Sequence, residues 1–184
     1  MNKGNIIFLN GVSSAGKSTL AKALQAQLTT PYFLLANDMF CDMAPETFMT
    51  KDTAAATCLQ ALHGMHQAIR AFSDAGIDVI VDHVMLTTDD TMEDCVRLLH
   101  DHPVLFVHVV CPLEELRRRE IQRGDRDIGQ AESQLLQLNP QDTYDITVDT
   151  HAETPQVCAA RVIEALDTVE RRAFTALWAL QQRV

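Results

Sequence analysis

The residues Gly11-Val12-Ser13-Ser14-Ala15-Gly16-Lys17-Ser18 keep the spacing G-x-x-x-x-G-K-[ST], a pattern whose fixed types suit the grip of a polyphosphate. Glycines let the backbone bend so that successive N–H groups turn inward, and a helix opening at Lys17 adds the positive end of its dipole. The Lys17 ammonium is expected at the β- and γ-phosphates and the Ser18 hydroxyl on Mg²⁺, with Thr19 completing the nucleotide-binding segment. A chance Gly/Ser-rich turn is the alternative, but it would not need ordered positions between a strand and a helix. Binding of ATP with Mg²⁺ is therefore the first functional expectation.

Carboxylates come next, because ligands of open parallel sheets lie beyond the carboxyl ends of the strands. Asp82 ends the apolar run Val79-Ile80-Val81, where a Walker B carboxylate would hold the Mg²⁺ shell; capping of the following loop is the competing role. Asp38 ends a second short run and is the expected general base, since transfer to an alcohol needs a carboxylate about 3 Å from the hydroxyl. Its alternative is to cap a helix starting near Met39. Asp149, with Thr150 and His151, is expected to shape a loop near the adenine.

Arg117, Arg118, Arg119, Arg123 and Arg126 crowd into one short stretch. Arg119 and Arg123 are one helical turn apart, and with Arg126 in a glycine-hinged loop they are expected to neutralise charge on the phosphates. Arg117 and Arg118 are expected in a solvated face laced with Glu114, Glu115 and Glu120.

His83 follows Asp82 and is expected either at the substrate or in a structural role. Met39, Phe40, Met43, Phe48 and Met49 suit an adaptable apolar pocket or core packing. Asp38, Met39, Phe40, Asp82 and His83 are thus the expected acceptor side. His63 and His66 lie three apart on one predicted helix, and with no third ligand at metal spacing they are not expected to hold an ion. Cys41, Cys58, Cys95, Cys111 and Cys158 show no close pair and read as small core residues of a reducing compartment.

These groups need elements to hold them in place. Continuous apolar runs predict strands at Ile6–Leu9, Phe33–Ala36, Ile77–Val81, Val104–Val110 and Ile146–Val148. Helical spacing predicts helices over Lys17–Leu28, Thr53–Ala75, about 89–100, Leu113–Arg123 and Ala131–Leu138, and one long final helix from Pro155 towards Trp178. Alternation of the two implies an α/β fold: a five-stranded parallel sheet with helices on both faces in three layers. A lid over about 124–138 and a substrate-binding segment over about 38–58 complete it.

The chain's 184 residues fit one such domain. Fifteen basic against twenty-five acidic residues give a formal charge of −10, which repels phosphate backbones and argues against nucleic acid as partner. No apolar stretch reaches the ~20 residues of a membrane span or the pattern of a signal peptide, so a cytoplasmic location is expected. Homo-oligomer formation is left open.

Taken with Asn37-Asp38, the Ile80-Val81-Asp82 strand end, Arg119 to Arg126 and Tyr144-Asp145-Ile146-Thr147-Val148-Asp149-Thr150, the phosphate loop resembles that of the chloramphenicol phosphotransferase-like family of P-loop kinases. The resemblance spans roughly Ile6 to Leu166, and is strongest over Leu9 to Ser18 and Arg119 to Arg126. It implies a nucleotide-kinase-like fold, ATP, Mg²⁺ and phosphorylation of a hydroxyl, with Asp38 matching the aspartate that takes the proton from the acceptor. Between Asp38 and Thr57 the chain is shorter than the family, and His83 stands where a second acid is found. The implied acceptor is accordingly a small alcohol, a chloramphenicol-like antibiotic or a metabolite. A nucleoside or sugar kinase and a nucleotide-dependent switch protein are the alternatives.

Overall fold

The computed structural model describes residues 2–87, 90–123, 128–138 and 143–183. Five strands, β1 (Ile6–Asn10), β2 (Phe33–Ala36), β3 (Val79–His83), β4 (Val104–Val110) and β5 (Ile146–Asp149), form one sheet in the order β2-β3-β1-β4-β5. All pairings are parallel, and Leu9 and Ala36 both lie level with Asp82. The helices are α1 (Lys17–Gln27), α2 (Asn37–Cys41), α3 (Ala54–Asp74), α4 (Thr91–Leu99), α5 (Leu113–Arg123), α6 (Gln130–Leu135), α7 (Pro155–Thr168) and α8 (Ala173–Gln181).

Strand side chains alternate in direction, and both faces of this sheet are covered. Ile7, Leu9, Ile80, Val107 and Val148 pack with α1, α5 and α7 through Leu20, Leu24, Leu116 and Val162. Ile6, Phe8, Val79, Val81 and Phe106 pack with α3, α4 and α8 through Ile69, Val96 and Phe174. The expected three-layer arrangement is therefore present, with the phosphate loop leaving β1 at the centre of the sheet.

The helix predicted over Ala131–Leu138 ends at Leu135, and two further boundaries move for a visible reason. Gly76 and Ile77 close α3 rather than open β3: Gly76 adopts φ +76°, its N–H bonds Ser73 O at 2.9 Å, and the Ile77 N–H bonds Phe72 O at 2.9 Å. β3 consequently starts at Val79 and carries Asp82 and His83 inside the strand.

The single final helix is in fact two. Val169 is extended, the Arg171 guanidinium donates to Leu166 O at 2.7 Å, and the Asp145 carboxylate accepts from the backbone N–H groups of Arg172 and Ala173 at 2.8 and 2.9 Å. α7 belongs to the first face and α8 to the second, so the chain must pass from one to the other between them. No straight helix could make that passage.

Candidate active site

Between β1 and α1 the backbone is held where only small residues fit. A Cβ on Gly11 would come within 2.4 Å of Val109 O, and Gly16 adopts φ +95°, with Thr150 Oγ1 3.2 Å from where its Cβ would stand. Ser14 itself has φ +61°, an uncommon strained conformation that clusters at ligand sites.

From this loop a cleft of about 930 Å³ opens at the carboxyl ends of the strands. Ser13, Ser14, Gly16, Lys17, Ser18 and Thr19 form one wall, with Asp82 at its base. Asp38, Met39 and Cys41 of α2 also line it, joined by Cys58 and Leu62 of α3. Arg119, Arg123 and Thr150 close a third side. Of the loop residues predicted to bind nucleotide, Gly11, Val12 and Ala15 set the backbone course and do not line the cleft.

Lys17 is only 7 % exposed; its ammonium donates to Val12 O at 3.0 Å and lies 3.8 Å from Asp82 Oδ1. The Ser18 hydroxyl donates to Asp82 Oδ2 at 2.7 Å. Ser18 and Asp82 thus present adjacent hard oxygens, the donor chemistry Mg²⁺ prefers. Ser14 Oγ and Asn37 Oδ1, both from cleft-lining residues, are buried with no hydrogen-bond partner. A hydroxyl left in this way within the loop fits a phosphate oxygen.

Arg119 is fixed from three directions. Nε donates to Glu115 Oε1 at 2.8 Å, Nη1 to Thr150 Oγ1 at 3.1 Å, and Nη2 to Thr150 O at 3.1 Å. The Thr150 hydroxyl in turn donates to Ala15 O at 2.6 Å, tying the arginine to the loop. Arg117 and Arg118 lie on the solvent side as expected, Arg118 paired with Glu115 and Arg117 with Glu132, an acid outside the predicted set. Arg126 and the hinge Gly124 lie outside the described residues.

Glu120 departs from the predicted solvated face. It is 1 % exposed, and its carboxylate accepts from the N–H groups of Ala131 at 2.7 Å and Gly129 at 3.0 Å, capping α6. Gln134, which no sequence pattern marks, reaches from α6 to accept the Ser13 N–H at 2.7 Å.

His83 is not part of the cleft. Next to Asp82 in an extended strand it must point to the opposite face of the sheet, where it is fully buried, stacked on Phe8 and 2.9 Å from His66 Nε2. Burial, followed by the charge of His66, holds its imidazole well below the usual histidine range. Phe40 likewise packs against the second-face core, while Met43, Phe48 and Met49 are exposed outside the cleft; only Met39 of that apolar set lines it.

The cysteines divide. Cys95, Cys111 and Cys158 are buried, but Cys41 and Cys58, far apart in sequence, meet across α2 and α3 on the cleft wall. Burial first, then the neighbouring Cys58 thiol, pushes Cys41 up to about 12, so it stays a thiol at neutral pH. Asp149 accepts from the N–H groups of His151 and Ala152 at 2.8 and 3.1 Å, the loop-shaping role expected of it.

Among solved structures, the Mycobacterium tuberculosis APS kinase in complex with AMPPNP and APS superposes with a TM-score of 0.69 at 16 % identity, covering 91 % of this chain and 99 % of that one. Shikimate kinase from Acinetobacter baumannii in complex with shikimate gives 0.68 at 15 %, covering 89 % and 93 %. Those likenesses are of fold, that of P-loop kinases. In sequence, the Mycobacterium tuberculosis "Putative O-phosphotransferase" is 32 % identical over 175 residues, 83 % of this chain and 77 % of that protein. The family model described as "Chloramphenicol phosphotransferase-like protein" matches residues 4–167, which take in the loop, Asp38, Asp82 and the α5 arginines, and the chain belongs to that kinase-like phosphotransferase family.

Proposed function

We propose that the chain is a small-molecule kinase that uses ATP and Mg²⁺ to phosphorylate a hydroxyl group. ATP supplies the transferable phosphoryl group, and Mg²⁺ offsets charge on its oxygens. The loop amides and Lys17 bind the phosphates, and Ser18 and Asp82 offer the cation its oxygens. Arg119 and Arg123 face the phosphates from α5, with Arg126 completing the set. Asp38 holds the acceptor hydroxyl and takes its proton as that oxygen becomes the nucleophile.

The observation that carries this reading is that Asp38 and Lys17 line the same cleft. A switch protein needs only a positioned water, whereas here the cleft that holds the carboxylate and the phosphate loop has about 930 Å³, room for an acceptor. Its far side, built from Leu34, Met39, Cys41, Cys58 and Leu62, is apolar, and none of the described lining residues of α2 and α3 is basic. Those walls favour an uncharged acceptor with an apolar body over an anionic one. An antibiotic of the chloramphenicol kind or a metabolite alcohol fits that description, and use of ATP is in keeping with a cytoplasmic protein.

Replacing Asp38 by Asn tests the assignment. Transfer should fall by about 10²–10⁴-fold, the span of general base catalysis, while Mg-ATP affinity by calorimetry stays near wild type. Near wild-type transfer by Asp38→Asn would remove the base from the scheme. Acceptors are to be found by screening hydroxyl-bearing antibiotics and metabolites with labelled ATP, reading transferred label by mass.

A further inference from the structure

We propose that His63, His66 and Asp94 form a binding site for a divalent metal ion of the zinc class, with Nδ1 of both rings and Oδ2 of Asp94 as its ligands. The site lies on the sheet face opposite the phosphate loop and is independent of the kinase reading.

His63 and His66 are one turn apart on α3, and Asp94 comes from α4. Their three ligand atoms lie within 4.8 Å of one another, with the Asp94 oxygen 3.0 Å from His63 Nδ1 and 2.8 Å from His66 Nδ1. Zn²⁺ sits about 2.0–2.1 Å from nitrogen and oxygen, so tetrahedral ligands are about 3.3 Å apart and the two contacts to the Asp94 oxygen need to open by only a few tenths of an ångström. Part-exposed His63 allows that movement, and its exposure lets water reach the site as a fourth ligand.

What separates this trio from an ordinary His–Asp contact is its surroundings. Histidine ligands direct their distal nitrogen to an outer partner, which fixes the tautomer. His63 Nε2 faces Asp90 Oδ1 at 3.5 Å, and His66 Nε2 faces His83 Nε2 at 2.9 Å. Asp94 Oδ1 is held by Arg97 Nη2 at 2.6 Å, which turns Oδ2 towards the rings. Each ligand therefore has an orienting partner, and both proximal nitrogens already meet the same Asp94 oxygen.

The experiment uses the full chain, stripped with a chelator and kept free of nucleotide and Mg²⁺. Co²⁺ is titrated while its visible absorption is followed, and Zn²⁺ is then added in competition. Stoichiometric uptake with the intense bands of tetrahedral Co²⁺, displaced by Zn²⁺ and lost in His63→Gln, is expected. Asp90→Asn should weaken binding by about 10–100-fold, the usual effect of removing an outer partner. Ser18→Ala, which alters the phosphate loop's oxygen pair, should leave the bands unchanged. His63 is part-exposed, so His63→Gln should keep the wild-type far-UV circular dichroism and serves as the deciding variant if Asp94→Asn unfolds. No tetrahedral band in the wild type, or one that survives His63→Gln, would mean a hydrogen-bonded His–Asp cluster and overturn the proposal.

Discussion

Glu115 shows how one side chain can serve both folding and the site. Hydrogen bonds from Arg118 and then Arg119 pull its carboxyl from the usual 4.5 down to about 2. A depressed carboxylate stabilises the fold fully above its unfolded value, and that contribution is lost as pH falls through the folded one. The thermal midpoint should therefore drop between about pH 4.5 and about pH 2. Glu115→Gln should flatten that slope in pH-dependent melting curves. It should also lower turnover at neutral pH, because Arg119 would lose one of its anchors; an unaltered acid slope would show that the pair adds nothing to the fold. At this scale sequence reading reaches Lys17, Ser18, Asp38 and Asp82 because each occupies a fixed place in a motif or at the end of an apolar run. It misses the meeting of Cys41 with Cys58 and of His63 and His66 with Asp94, since contacts between separate helices leave no periodic trace.

Among the elements, α5 and α6 illustrate a charge hidden within a basic stretch. Glu120→Ala would leave two backbone N–H groups at the start of α6 without their acceptor, a loss of roughly 1–3 kcal/mol. Hydrogen exchange across 129–138 should quicken, and Glu120→Gln, which keeps one acceptor oxygen, should be milder. Unchanged exchange in Glu120→Ala would mean that α6 is held by other contacts. Its glutamate reads as solvated because charged neighbours surround it in sequence, whereas the fold of α6 over α5 alone decides its burial. β4 was legible to the residue, being bounded by Pro103 and by Pro112 just beyond it. β3 was not, since polar Asp82 and His83 conceal its carboxyl end and Gly76-Ile77 belong to the helix closure before it.

For the molecule as a whole, alternating strand and helix signals were enough to give a parallel sheet covered on both faces, but not the passage of the chain from α7 to α8. α8 lies beyond residue 167, where the family match ends, and its Phe174 packs 5.5 Å from the Phe8 ring and 5.1 Å from that of Phe106. Phe174→Ala should destabilise the protein by about 3–5 kcal/mol, as deletion of a buried aromatic ring does. Urea midpoints should fall while turnover per folded molecule holds; lost turnover in the folded variant would give α8 a part in the chemistry. The same sheet places two consecutive β3 residues in different chambers, Asp82 with the phosphate loop and His83 among the aromatic rings. Dropping one residue after Gly76 would set the imidazole beside Lys17 and sink the carboxylate into the place of Val81 among the apolar residues of the other face. The length of the short link Ile77-Asp78 thus decides which of the two side chains meets Lys17.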